Sequence, residues 1–342
     1  MTSQTIDPGA PPAGPSDAGP NSTVPSSAVP HSAVAARLEP RTVDPRDYRI
    51  RSRRTRRDRW IFLAFALPNI ALILVFTYRP LIANLNYSTL DWTLGSPTAT
   101  AVGLGNYERF LSSGDAADVL GTTLVFTLAT VGGSMLLGLA VAFALNQRLR
   151  GTTFARSAVF APYVLSGVGI GLVWLFIFDP VYGVLSWILR QAGIASPQWI
   201  NDPQLALVMV IVVYVWKNLG YCAVVYLAGL QSLSRDVLEA SALDGASGWR
   251  QLVSIKLPLL SPTTFFLSIT CLLSSLQAFD LIRIMTPLGQ GTSTLVYEAY
   301  LQAFGGYNRA GYSAAISTVL FVILLAVTLL QLRFVERKVH YS

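Results

Sequence analysis

Charge is scarce in this 342-residue chain. Asp, Glu, Lys and Arg together make up 13% of it, while apolar residues make up 52%; a soluble domain carries about a quarter charged residues. That shortage excludes an ordinary water-solvated globule and points to several apolar helices solvated by lipid. Cysteine is nearly absent. Cys222 and Cys271 both lie in apolar runs with no CxxC and no neighbouring His, which excludes a disulfide scaffold or a zinc site and leaves a small buried apolar role. The two histidines, His31 and His340, lie near the chain ends. With no paired titratable groups elsewhere, there is no catalytic constellation and no metal site to argue for. Also missing is any G-x-x-x-x-G-K-[ST]: "GQGTST" at 289–294 lacks the Lys. The chain therefore has no loop of its own to cradle ATP, and holds no cofactor.

What is present starts with a tail. Residues 1–50 are rich in Pro, Ala, Ser and Gly and end in a basic cluster, a composition that cannot offset the entropy of ordering and reads as disordered. No apolar core of a signal peptide lies in its first thirty residues, so a cleaved leader is not expected. Apolar stretches long enough to cross about 30 Å of hydrocarbon then recur at roughly 60–83, 119–145, 156–178, 204–230, 258–284 and 312–334. The expected fold is all-α, a polytopic membrane bundle of about six helices, with residues 51–342 as the transmembrane domain.

Basic residues orient it. The net charge of +7 would suit nucleic acid, but ten of the 25 basic residues crowd between Arg37 and Arg59, just before the first span. Such a cluster sets topology and touches anionic lipid rather than nucleic acid. Arg148, Arg150 and Arg156, then Arg235, Arg250 and Lys256, then Arg333, Arg337 and Lys338 fall on the same side. The alternate connections carry only Arg109, Arg190 and Arg309. The positive-inside rule places both termini, and the loop at about 234–257, in the cytoplasm.

That loop, with "EASALDGASGWRQLVSIKLPLL" at 239–260, is too polar to cross a bilayer and too patterned to be idle. Ser234 is placed to cap a short helix, and Leu238, Ala242, Ala246 and Trp249 would share one helical face. Gly245 and Gly248 mark a bend, and Pro258 is expected to open the fifth span. A knob of small residues with one large aromatic either docks against another protein or lies in the headgroups; the physics alone leaves both open.

The spacing Glu239-Ala240-Ser241, then Gly245, then Ile255-x-Leu257-Pro258 resembles the EAA loop of ABC importer permeases, with Ser241 where Ala is usual. Asp244 and Ala246 extend the match to the form common in the carbohydrate-uptake branch. "VGLGNY" (102–107), Phe154, Arg156 and Pro162, "VW" (173–174), Trp216–Lys217, "LAGLQ" (227–231), Phe279–Asp280 and Thr286 are similar to further stretches of that family. The C-terminal "QLRFVERKVHY" (331–341) is most similar to its sn-glycerol-3-phosphate permeases. The resemblance implies a type I, MetI-like permease in the cytoplasmic membrane of a prokaryote. It implies a homologous permease as heterodimer partner, two ATP-binding subunits that carry the ATP and Mg, and an extracytoplasmic solute-binding protein. Glu239, Ala240, Ser241, Asp244, Gly245 and Ala246 would then couple the chain to the ATPase.

Polar groups inside the spans are the candidates for a solute path. Lys217 lies mid-span, where an ammonium costs about 2.5–3.5 kcal/mol, and Asn218 and Tyr221 accompany it. They line a path or lock helices together. On the fifth span Ser274, Gln277 and Asp280 form one stripe able to grip hydroxyls, and Asp280 and Arg283 stand at pairing distance (i, i+3). Lys217 and Arg283 would attract a phosphate. The expected solute is glycerol 3-phosphate or a glycerophosphodiester; the alternative is a neutral di- or oligosaccharide. A secondary transporter is disfavoured by the docking-type loop and the lack of inverted repeats.

Overall fold

The computed structural model describes residues 45–147, 151–289 and 291–335. The expected disordered tail, apart from 45–50, lies outside the described residues, as do Arg148, Arg150, Arg337, Lys338 and both histidines. The chain divides into two units, 1–71 and 72–342. In the first, helix α1 (Pro45–Ile73) already begins ahead of the expected boundary at residue 50. Its residues Trp60, Phe62 and Phe65 are all well exposed. From Trp60 on the helix is apolar on every side, which suits lipid.

The second unit opens with a π-turn (Leu74–Tyr78) leading into α2 (Arg79–Tyr87). Then come a two-stranded antiparallel ribbon, β1 (Leu90–Asp91) with β2 (Thr100–Ala101), and the short α3 (Gly105–Ser112). The long helices are α4 (Gly114–Leu145) and α8 (Pro203–Ser232). Between them lie α5 (Thr152–Val164), α6 (Gly167–Ile177) and α7 (Val184–Gln191). The loop elements follow: α9 (Arg235–Leu243), α10 (Gly248–Gln251), a second π-turn (Leu252–Lys256) and α11 (Leu257–Leu259). The remainder is α12 (Ser261–Leu276), α13 (Asp280–Met285), α14 (Leu295–Phe304) and α15 (Ala310–Leu330).

Among the described residues five helical stretches are long and apolar enough to cross a membrane, or six if one bent pair counts as a span. They cover the six expected stretches, with two corrections. The third span is not one helix: α5 and α6 meet at 98°. Pro162 removes a backbone donor near the end of α5, and Leu165 turns extended (φ −70°, ψ 150°). The fifth span breaks after Leu276 and resumes at Asp280. It also starts later than expected. Pro262, not Pro258, stands in the first turn of its long helix. Pro258 instead follows the second π-turn, where Leu257 donates to the Leu252 carbonyl. Arg79 does the same to Leu74 just before Pro80. In both places the wider turn makes room for a ring that would collide with the carbonyl four residues back.

Helix α8 is the axis of this unit. Asp202 caps it, accepting from Gln204 N (2.9 Å) and Leu205 N (3.2 Å), and Pro203 occupies the first turn. It packs on α4, α5, α12 and α13. Two glycines set that closeness. A Cβ on Gly138 of α4 would stand 2.5 Å from Cys222 Cβ, and one on Gly220 would land on the Val159 carbonyl of α5. Small residues at membrane helix contacts work in this way, letting backbones approach for dispersion contact. Apolar clusters fill the rest: Phe126, Met209, Val213, Ile282 and Tyr297 in one, Phe110, Leu295 and Ile316 in a second, Ala142, Tyr226, Leu260 and Leu267 in a third.

The "VGLGNY" stretch has a structural task. Asn106 is buried, and its Nδ2 donates to the carbonyls of Ser88 and Leu90, both at 2.9 Å, while Tyr107 OH donates to Ser88 Oγ at 2.6 Å. The ribbon is thereby tied to the end of α2.

Gly220→Leu should cost about 3 kcal/mol or more through overpacking, seen as lost folded protein in detergent size exclusion; an unchanged melting temperature would contradict the close α5–α8 contact. A second expectation concerns the turn after α6. The N–H groups of Val181 and Tyr182 donate to Asp179 Oδ1 at 2.8 and 2.7 Å and hold its carboxyl below the usual range. That stabilisation is present above the unfolded carboxylate range near pH 4 and is lost as pH falls through the depressed folded value. The melting-temperature gap between wild type and Asp179→Asn should therefore close on acidification.

Candidate functional site

Two neighbouring cavities, of about 350 and 450 Å³, open between α4, α5, α8 and the α12–α13 break. Tyr163, Tyr214, Asn218 and Ser274 line both, so they form two compartments of one space. The larger holds charge: Lys217, Gln277 and Asp280 line it with Gly167. The smaller holds none. Its further lining is Thr130, Ser134, Tyr221, Thr270, Cys271 and Leu273.

Lys217 is half-buried. Its Nζ donates to the Tyr163 carbonyl at 3.0 Å and stands 5.2 Å from the centre of the Tyr163 ring. That carbonyl is available because α5 ends at Val164, so Gly167 belongs to the next helix and does not continue the ladder. Asp280 approaches from the opposite wall. A Cβ on Gly167 would lie only 3.1 Å from Asp280 Cβ, and one on Gly171 2.8 Å from Ile284 Cγ2. These two glycines, one turn apart on α6, let α13 press close enough to bring its first residue to the cavity.

The expected pairing of Asp280 with Arg283 does not occur. Among the described residues the two form no ion pair. Arg283 is exposed and lies over the Tyr300 ring at 4.9 Å and the Phe279 ring at 5.8 Å, outside the cavity lining. Both residues lie on the six-residue α13, but the guanidinium turns to the Tyr300 and Phe279 rings rather than to the carboxylate. Of the other expected path residues, Asn218, Tyr221, Ser274 and Gln277 all reach the cavity. Asn218 Nδ2 donates to the Tyr214 carbonyl at 2.8 Å, and Tyr214 OH to the Ser274 carbonyl at 2.9 Å.

Residues the spacing arguments missed complete the wall. Tyr163 stacks on Tyr221 with ring centres 4.8 Å apart. Thr130 Oγ1 meets Ser275 Oγ at 2.7 Å. Ser134 is 1% exposed and its Oγ has no partner. Leaving a buried hydroxyl unpaired costs about 1–3 kcal/mol. A polar side chain every third or fourth residue (Thr123, Thr127, Thr130, Ser134) on a largely apolar α4 was the available signal.

The polar loop forms a helix–bend–helix. Ser234 takes the capping position of α9, yet its side chain makes no capping bond, contrary to expectation. The helix ends at Leu243, so Ala246 and Trp249 lie beyond it and do not share the face of Leu238 and Ala242. Gly245 (φ +77°) supplies the left-handed residue. Gly245 N donates to Ala242 O and Ala246 N to Ser241 O, both 3.1 Å, which is a Schellman end. Glu239, Ala240, Asp244 and Gly245 are exposed, Ala246 is half-buried, and Leu243 and Trp249 project at 90% and 74% exposure. Ser241 turns inward. Its Oγ donates to the Leu238 carbonyl at 2.7 Å and accepts from Gln251 Nε2 at 2.8 Å, and the same amide reaches the Leu238 carbonyl at 3.0 Å. The loop thus presents an exposed apolar knob on a cross-tied base.

Residues 134–341 match the family described as binding-protein-dependent transport system inner membrane component. The chain belongs to this family. It is 37% identical over 278 residues to the sn-glycerol-3-phosphate transport system permease protein UgpA of Agrobacterium fabrum, spanning 80% of this chain and 94% of that one. Identity is 34% over 280 residues to a probable ABC transporter permease protein of Pyrococcus horikoshii, spanning 81% and 96%. Among solved structures, a bacterial ABC transporter involved in the import of the acidic polysaccharide alginate superposes with a TM-score of 0.74. That match spans 84% of this chain and 99% of the other at 21% identity, and bears on the fold. The permease has the all-α MetI-like fold, serves an ABC importer that works with a binding protein, and is not itself an enzyme.

Within the permease the Ser-for-Ala departure at 241 thus has a physical effect. Ser241→Ala should remove about 1 kcal/mol of local stability, raising hydrogen exchange across 242–246 roughly fivefold. Exchange unchanged from wild type would show that Gln251 bridges α9 and α10 without it.

Proposed function

We propose that this permease moves glycerol 3-phosphate or a glycerophosphodiester inward across the cytoplasmic membrane, with both termini in the cytoplasm. It pairs with a homologous permease, docks two ATP-binding subunits that carry ATP and Mg, and receives solute from an extracytoplasmic binding protein. The observation that carries the solute is Lys217, the only cation among the described residues lining the cavity. An ammonium held in a span by a carbonyl and a ring retains donors for an anionic oxygen. The name of the Agrobacterium fabrum relative agrees with it. Asn218, Ser274 and Gln277 supply hydrogen bonds to the same solute, Tyr221 a flat wall, and Asp280 a counter-charge while the site is empty. Arg283, outside the cavity, takes the part of an entrance charge. A neutral di- or oligosaccharide is the second reading, favoured by Asp280, which balances Lys217 and lowers the cavity's net charge.

The coupling surface is Glu239, Ala240, Asp244, Gly245 and Ala246, with Ser241 as its internal tie. ATP binding on the partner subunits draws such loops together and opens the path outward, a two-state element biased by a ligand bound elsewhere.

Reconstituted importer tests both parts. Lys217→Gln should lower uptake of a phosphorylated polyol about 10- to 100-fold, the range of one lost charge-assisted bond of about 1.5–3 kcal/mol, while Arg283→Gln has a smaller effect. Full uptake by Lys217→Gln would remove the phosphate reading in favour of the sugar. Replacing Glu239 and Gly245 together by Trp should leave solute binding intact and abolish solute-stimulated ATP hydrolysis; retained stimulation would refute docking through this loop.

A further inference from the structure

The two compartments differ in chemistry in a way that orients a solute. The larger carries Lys217 and Asp280; the smaller carries no ionisable acid or base apart from phenols and one thiol. An anionic oxygen entering the smaller compartment would be desolvated with no cation to meet it. What it would meet are neutral polar groups. Asn218 gives one Nδ2 hydrogen to the Tyr214 carbonyl, which leaves its second N–H to donate and Oδ1 to accept. Thr130 is engaged by the Phe126 carbonyl and by Ser275 Oγ, both at 2.7 Å, while Thr270 donates toward the Phe266 carbonyl (3.1 Å) and keeps its oxygen as an acceptor. Ser134 is buried and uncommitted: its Oγ lines the compartment with neither donor nor acceptor satisfied. A set of uncharged donors and acceptors suits alcohol groups, which both donate and accept, and offers phosphate oxygens no cation to offset their desolvation. The stacked Tyr163–Tyr221 pair offers its face to the C–H side of such a group.

We infer that the smaller compartment, built around Ser134 of α4, is a hydroxyl subsite that takes the polyol end of the solute while the charged end stays beside Lys217. This rests on the proposed function for the charged end only. The subsite itself asks for alcohol groups, whichever solute carries them.

The experiment reads occupancy of the subsite directly. In the complete importer, Ser134→Cys is introduced with Cys271→Ala, and alkylation of the new thiol by a small maleimide is timed. Glycerol 3-phosphate at saturating concentration should slow alkylation at least fivefold, and inorganic phosphate at the same concentration should leave it unchanged. Equal protection by both, or by neither while glycerol 3-phosphate is still transported, overturns the subsite and leaves the proposed function standing. Should the importer transport a neutral sugar and not the phosphate, the proposed solute falls, and protection by that sugar still decides the subsite. As a second measurement, Ser134→Ala should raise KM for the solute severalfold with kcat kept. A fall in kcat with unchanged KM would assign Ser134 to helix packing instead.

Discussion

Everything at the cavity depends on one exchange of unmet needs. A helix that breaks in hydrocarbon frees backbone groups that have no water to turn to, and an ammonium in the same place is equally costly. Here the break after Val164 frees the Tyr163 carbonyl, and Lys217 Nζ fills it at 3.0 Å. Each group offsets the other's desolvation. The consequence is geometric. Helix α6 can depart at 98° from α5, and its glycine face then admits α13, bringing Asp280 to the wall opposite Lys217. Remove the ammonium and both the broken helix and the charge balance of the cavity lose their support.

Legibility in the sequence followed the reach of local rules. Span positions were readable because 20-residue apolar runs are a local property, and the loop because its spacing is strict. Asn218, Tyr221, Ser274 and Gln277 line one cavity space, each a turn or two from a neighbour along its helix. The rules failed where tertiary contacts decided. Asp280 and Arg283 stand at i, i+3 on one helix and look like a pair, but the rings of Phe279 and Tyr300 take the guanidinium. Tyr163 was invisible because its contribution to Lys217 is a backbone carbonyl, which no side-chain pattern reports. Ser134 was passed over because a single serine in an apolar helix is ordinarily bonded to its own backbone; its orphaned state is a tertiary fact.

The loop shows the same division. Its motif marks Glu239, Asp244 and Gly245, all on the outside. What gives them a fixed shape lies underneath: the Schellman end at Gly245 and the Ser241–Gln251 tie. From Gly248 the chain stays in helical conformation through α10, the π-turn and α11 as far as Leu259. The knob is therefore joined to α12 by nearly unbroken helix, and α12 carries Thr270 and Ser274 into the cavity wall. A partner that displaces the knob acts on a stiff element rather than on a slack connector.

Proline fits this only because of the π-turn. A proline inside an α-helix costs about 3 kcal/mol or more through its lost donor and its clash with the carbonyl four residues back. At Pro258 the wide turn absorbs both, since Leu257 already reaches back five residues to Leu252. The chain stays helical across Pro258 as far as Leu259. Were the turn replaced by regular α-helix, the ring would force a kink at the base of α12, and movement of the knob would be spent in bending rather than carried to Ser274. The same device precedes Pro80. In both places a helix has to stay stiff across a residue that would otherwise break it, and one extra residue per turn is the smallest change that permits this.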